Sequence, residues 1–390
     1  MKHPSLLLVV AAACAAITGM PAAAASRCDV RSTRPSTTDS GCADEWFDHH
    51  LRLNDLLVVG SHNSYKQRIP STELALIAES DAVQARELDY AHPSLTAELD
   101  TGARQLEIDV HHDPDGGRYR DPLVPRIAGA DLGEAWKAAM AKPGFKTFHV
   151  PDVDVRSSCF AFRTCLAEIR AWSDAHPRHV PIILLVNAKE GAGFPGGVAS
   201  PAFDAAAFDA LDAEIRAELG AKLITPDSVQ GHYPTLRDAV LHGNWPTLGD
   251  ARGRVLIALD EDPRKVAIYR GERKSLEGRV MFVNAPDEQS PVAAYFTLND
   301  PVQQAGRIRR DVALGFLVRT RADSGTHEAR DNNPVPRDAA LAGGAQVVST
   351  DYLWPDARFA GGYRVNLPGA AAVCNPVRMK RCAGVPVEPR

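Results

Sequence analysis

Short apolar runs rich in Val, Ile and Leu recur along the chain, with stretches of helical spacing between them. They predict strands at 56–60, 105–110, 146–150, 182–187, 254–260, 280–284, 316–321 and 346–351. Between strands, 165–176 places Leu166, Ile169 and Trp172 on one helical face. Residues 204–219 do the same with Phe208, Leu211, Ile215 and Leu219, and 301–314 reads as a further helix. Gly- and Pro-rich stretches at 191–201 and 242–253 read as loops. Eight strands alternating with helices favour an α/β architecture of the (β/α)8 TIM-barrel type. An open doubly wound sheet is the competing arrangement, but no Gly-rich phosphate loop follows the first strand.

The N-terminus follows a different pattern. Lys2 and His3 precede an apolar run at 5–18, and small residues at 22–26 offer a cleavage point after Ala25. This is the order of a secretory signal peptide, and the run is short for a bilayer span. Cys14 lies inside the run, which continues beyond it, so a lipoprotein is disfavoured. The expected division is 1–25 signal peptide, 26–50 an N-terminal segment, 51–355 the barrel and 356–390 a C-terminal tail, in a secreted or periplasmic protein. No second long apolar stretch follows, so no transmembrane segment is expected in the mature chain.

Export changes the meaning of the cysteines. Six remain after cleavage, an even count that reads as disulfides. They fall into three local pairs: Cys28 with Cys42, Cys159 with Cys165, and Cys374 with Cys382. Those spacings suit zinc poorly. The 390 residues are 45% hydrophobic and 24% charged, which excludes a disordered chain or coiled coil. The formal charge of −5 gives no global attraction for nucleic acid.

The chemistry lies where the strands end. The first strand runs into Ser61-His62-Asn63-Ser64-Tyr65, and the second carries Glu107, Asp109 and His111 on one face. The third ends in His149-Val150-Pro151-Asp152, the fourth in Asn187-Ala188-Lys189-Glu190. In a parallel barrel these C-terminal ends meet on the face that holds active sites. Carboxylates and Asn without thiolate favour a hard cation, Ca2+ or Mg2+. Each feature alone has an ordinary structural reading: a hydrogen-bonded His, an exterior Glu–Asp ion pair, an Asn capping a turn. Four successive strands ending this way favour function.

Taken together, 60–65, 99–110, 148–154 and 181–190 resemble calcium-dependent phosphoinositide-specific phospholipase C in its small secreted bacterial form. Gly344 to Tyr352 resembles the closing strand of the wider phospholipase C and glycerophosphodiesterase group. The resemblance, over roughly 50–355, implies His62 and His149 as catalytic and Asn63, Glu107, Asp109 and Asn187 as ligands of Ca2+, with Mg2+ second. It further implies cleavage of a phosphatidylinositol-type lipid at a membrane surface by the inositol 2-hydroxyl, with diacylglycerol and a (cyclic) inositol phosphate as products. The family commonly has an acid where this chain has Asn187; Glu190 is a substitute ligand, although its strand phase differs. Lys189, Arg319 and Arg321 are candidate phosphate ligands, the two arginines equally suited to exterior ion pairs. The alternatives are a glycerophosphodiester hydrolase of the same barrel and a non-catalytic lipid- or polyanion-binding barrel.

Overall fold

The structure is a computed structural model that describes Met1 and residues 28–390. The expected signal peptide and Cys14 lie outside the described residues. The strands among the described residues are β1 (Leu56–Ser61), β2 (Gln105–Asp113), β3 (Gly144–Lys146), β4 (Ile182–Lys189), β5 (Leu223–Ile224), β6 (Val255–Leu259), β7 (Phe282–Val283), β8 (Tyr295–Thr297), β9 (Leu317–Arg321), β10 (Val347–Thr350), β11 (Ala370–Cys374) and β12 (Pro386–Pro389).

Parallel pairing runs β6–β4–β2–β1–β10–β9–β8, and on the other side of β6 the two-residue β5 pairs at Val255 and Leu256 and β7 at Ala258 and Leu259. A single parallel bridge, Asn284 to Tyr295, brings β7 against β8 and closes the circuit. The result is an eight-stranded α/β barrel of TIM type. β1 and β2 approach closely at Gly60, where a Cβ would collide with the carbonyl of Gln105.

One expected strand is wrong. Residues 146–150 are not a barrel stave: β3 pairs antiparallel with the end of β2, Lys146 opposite His111, and the chain then turns at Val150–Asp154. The missing stave is β8, whose Tyr295-Phe296-Thr297 is too short to stand out as a strand in the sequence. The helices form near their expected places: Phe162–Ala175, Ala205–Leu219 and Ala305–Leu314. Asp204 caps the second by accepting from the amide of Ala207, and its Phe208, Leu211, Ile215 and Leu219 are buried. Burial of each such side chain contributes roughly 2 kcal/mol.

Both flanking segments pack on the barrel. Helix Ser40–His50 buries Trp46 and Phe47, and β11 pairs antiparallel with β1 at Leu56 to Val58. Disulfides join Cys28–Cys42, Cys159–Cys165 and Cys374–Cys382, with Cα separations of 5.1, 5.4 and 5.7 Å, in the expected pairing. No helix among the described residues is long and apolar enough to cross a membrane.

Candidate active site

The register decides which side chains meet. Asp109 lies opposite Asn187 and His111 opposite Lys189 between β2 and β4. Val347 lies opposite Arg319 and Ser349 opposite Arg321 between β9 and β10, while Gly60 pairs with Ser349 and with Gln105. Residues at matched heights share a face in a parallel sheet, and alternate residues share it along a strand. His62, Glu107, Asp109, Asn187, Lys189, Arg319, Arg321 and Asp351 therefore all face inward at the C-terminal end. The exterior reading of Arg319 and Arg321 falls: Arg319 is only 2% exposed and pairs with Glu107 at 2.7 Å.

His62 follows β1. Its Nδ1 is 2.8 Å from Asp351 Oδ1 and 3.2 Å from the Tyr90 hydroxyl, and its Nε2 is 3.6 Å from Glu107 Oε1. Arg321 pairs with the other oxygen of Asp351 at 3.0 Å. Burial, reinforced by the Arg321 guanidinium, holds the His62 imidazole well below its usual value against the pull of Glu107. The environment therefore favours the neutral ring.

His149 sits in the turn after β3. Its Nδ1 is 3.0 Å from Asp154 Oδ2, and Lys66 reaches the same oxygen at 3.3 Å. Lys66 and Asp154 are fully buried, and the ammonium also donates to the carbonyls of Leu88 and Tyr90. The two histidines line one cavity of about 320 Å³ together with Tyr90, Arg321 and Asp351. His111 belongs elsewhere. It is buried against Phe148, and burial lowers its imidazole to about 3.

Deeper in the mouth lie the oxygen donors. Asn63 adopts a left-handed backbone (φ 49°), and its Nδ2 donates to the Tyr90 hydroxyl at 2.8 Å. Asn63 Oδ1 and Asp109 Oδ1 are buried without a hydrogen-bond partner. Two orphaned buried oxygens suit a hard cation, and Asn63, Glu107 and Asp109 could hold one. Asn187 donates from Nδ2 to Glu107 Oε1 at 3.1 Å, so it stands beside the cluster as an amide. Among the described residues no group of three or more His, Cys, Asp or Glu is disposed to hold a metal, so the cluster rests on two carboxylates. Glu190 is turned away: it pairs with Arg264 and accepts from the amide of Phe203.

Several neighbours escaped the sequence reading. Asp351 and Asp260 obey the same strand-end rule and were legible in principle. Burial raises Asp260, which accepts from the Thr297 hydroxyl at 2.5 Å and lies within the fields of Arg319, Glu107 and Lys189. Asp154 lies five residues beyond His149, whereas nothing local marked Tyr90.

The geometry can be set beside known proteins. Residues 51–376 match the family described as phosphoinositide phospholipase C, Ca2+-dependent. No curated protein sequence matches the chain. Among solved structures, a Ca2+-dependent phosphatidylinositol-specific phospholipase C from Streptomyces antibioticus is 19% identical, covering 77% of this chain and 95% of that one, with a TM-score of 0.47. A calcium-dependent phosphoinositol-specific phospholipase C from a Pseudomonas species is 19% identical over 82% and 96%, with a TM-score of 0.48. A glycerophosphoryl diester phosphodiesterase from Parabacteroides distasonis is 10% identical over 82% and 90%, with a TM-score of 0.34. The family match spans most of the chain, from the residue before Arg52 to the C-terminal disulfide, and the protein belongs to the Ca2+-dependent phosphoinositide phospholipase C family of phosphodiesterases.

Proposed function

We propose that this protein is an exported phospholipase C that cleaves phosphatidylinositol-type lipids at a membrane surface into diacylglycerol and a (cyclic) inositol phosphate. The observation that carries the reading is the pair of histidines on one cavity, each bonded to its own buried carboxylate, beside a cluster of buried oxygen donors.

His62, kept neutral by burial, accepts the proton of the inositol 2-hydroxyl as that oxygen attacks phosphorus. Asp351 accepts from Nδ1–H, which leaves Nε2 as the basic nitrogen and stabilises the imidazolium that forms. On the far side of the phosphorus, His149 protonates the departing diacylglycerol oxygen, its ring oriented by Asp154. Arg321 and Lys189 offer positive charge to the phosphoryl oxygens. Ca2+ held by Asn63, Glu107 and Asp109, with Asn187 alongside, would lower the pKa of the attacking hydroxyl and neutralise phosphoryl charge. An internal nucleophile removes the need for a Ser or Cys nucleophile. Three disulfides fit an oxidising compartment.

The test is incubation of the purified protein with phosphatidylinositol, with Ca2+ or with chelator, and identification of the phosphorus-containing product. A cyclic inositol phosphate formed only with Ca2+ is the expected result. Release of phosphatidate and free inositol, or no turnover in either condition, overturns the reading.

A further inference from the structure

The two carboxylates of the candidate calcium cluster already carry counter-charges, and the two cations differ in how they are held. Asp109 is fully buried and Glu107 is 4% exposed, so neither can be left ionised without a partner. Glu107 is served by Arg319, whose guanidinium also donates to Asn299 and, at 3.2 Å, to Ser349. Three partners and near-complete burial fix it in place. Asp109 is served by Lys189, with Nζ 3.2 Å from Oδ2. The Lys189 side chain is 37% exposed, and its four-carbon stem leads to solvent at the end of β4.

A divalent ion and an ammonium compete for the same carboxylate. At a few ångströms a divalent ion repels an ammonium about twice as strongly as a second ammonium would. Arg319 is 2% exposed, whereas the Lys189 side chain is 37% exposed. We propose that Lys189 is an exchangeable counter-ion: it neutralises Asp109 in the ion's absence, and withdraws toward the mouth when Ca2+ is bound. The inference rests on the proposed calcium cluster and adds a consequence. Once released, the Lys189 ammonium becomes available to an anionic head group entering the mouth. By linkage, an anion that engages it strengthens Ca2+ binding in return.

Calorimetric titration of the intact protein with Ca2+ tests the exchange without reference to activity. Lys189→Met removes the competitor and is expected to bind Ca2+ about tenfold tighter than wild type, while Lys189→Arg keeps the charge and does not tighten. A parallel measurement needs no variant: acetylation of Lys189 in wild-type protein, followed by mass spectrometry, should proceed severalfold faster with Ca2+ than with chelator. Lys189→Met binding no tighter than wild type, or acetylation unaffected or slowed by Ca2+, overturns the exchange and leaves the calcium cluster standing. If wild-type protein takes up no Ca2+, the cluster and the exchange fall together. Should Lys189→Met fail to fold, the acetylation rates decide the matter alone.

Discussion

The two histidines at the barrel mouth are equally exposed, with 20% of each side chain accessible, yet they are built differently. His62 directly follows a barrel strand and is surrounded by Asp351, Tyr90 and Glu107, with Arg321 behind Asp351. His149 lies in a turn and takes its orientation from Asp154, both through Nδ1 and through its backbone amide. The two supports touch at Lys66, which pairs with Asp154 and also donates to the carbonyl of Tyr90. A strand supplies position through its ladder, so its histidine can spread its contacts. A turn supplies little, so one buried ion pair has to do it.

Removing either imidazole should have the largest effect. His62→Ala and His149→Ala are each expected to lower turnover by at least about 10²-fold, the usual worth of a positioned acid or base. Near-wild-type turnover in a variant shown by circular dichroism to be folded would strip that residue of its role. The carboxylates sharpen the contrast. Asp154→Asn should cost about 10²-fold, because it unseats His149 and leaves the Lys66 ammonium buried without a counter-ion. Asp351→Asn should cost about tenfold, since Tyr90 and Glu107 still surround His62. Equal losses would show that strand and turn hold their histidines alike.

The disulfide Cys159–Cys165 closes a short loop ten residues past His149, and its loss should act on that side alone. Replacing both cysteines by Ser is expected to lower stability by about 2 kcal/mol, the loop-closure figure for so short a ring. Thermal denaturation checks the stability. If turnover at a temperature where the variant remains folded is unchanged, the staple does not help to position His149.

Position 187 probes the oxygen cluster beneath His62. The Asn187 amide donates to Glu107, a contact that a carboxylate there would turn into repulsion. Asn187→Asp should therefore lower the melting temperature without Ca2+. It should also tighten Ca2+ binding about tenfold by adding a third negative charge to the cluster. Calorimetry reads the affinity directly, and an unchanged value would place the ion away from position 187.

The smallest expected effect serves as a control far from the mouth. His179 is buried against Ser173 and the carbonyl of Val180, and burial lowers its imidazole to about 4. The folded state then resists a proton that the unfolded chain takes up below about 6.5. His179 thus contributes stability that is fully present above pH 6.5 and is lost as pH falls toward 4. His179→Gln should flatten denaturant-measured stability across that window by up to about 1.4 kcal/mol per pH unit. A profile parallel to wild type would mean that His179 takes up its proton equally in both states.

Elements whose pattern is local were legible in the chain alone. Phe208, Leu211, Ile215 and Leu219 repeat at helical spacing, and the helix lies there. Glu107, Asp109 and His111 alternate, and they share a strand face. Local pairs of cysteines join locally because short loops close most readily. Tertiary structure decided the rest, because pairing partners are not written in spacing. β8, three residues long, is a stave only because β7 and β9 flank it. Residues 146–150 look like a strand but turn away, since β4 rather than β3 takes the place parallel to β2. Arg319 and Arg321 read equally well as exterior or interior, until their register with Val347 and Ser349 turned both into the mouth. There, buried carboxylates supply the opposite charge that a guanidinium needs away from water.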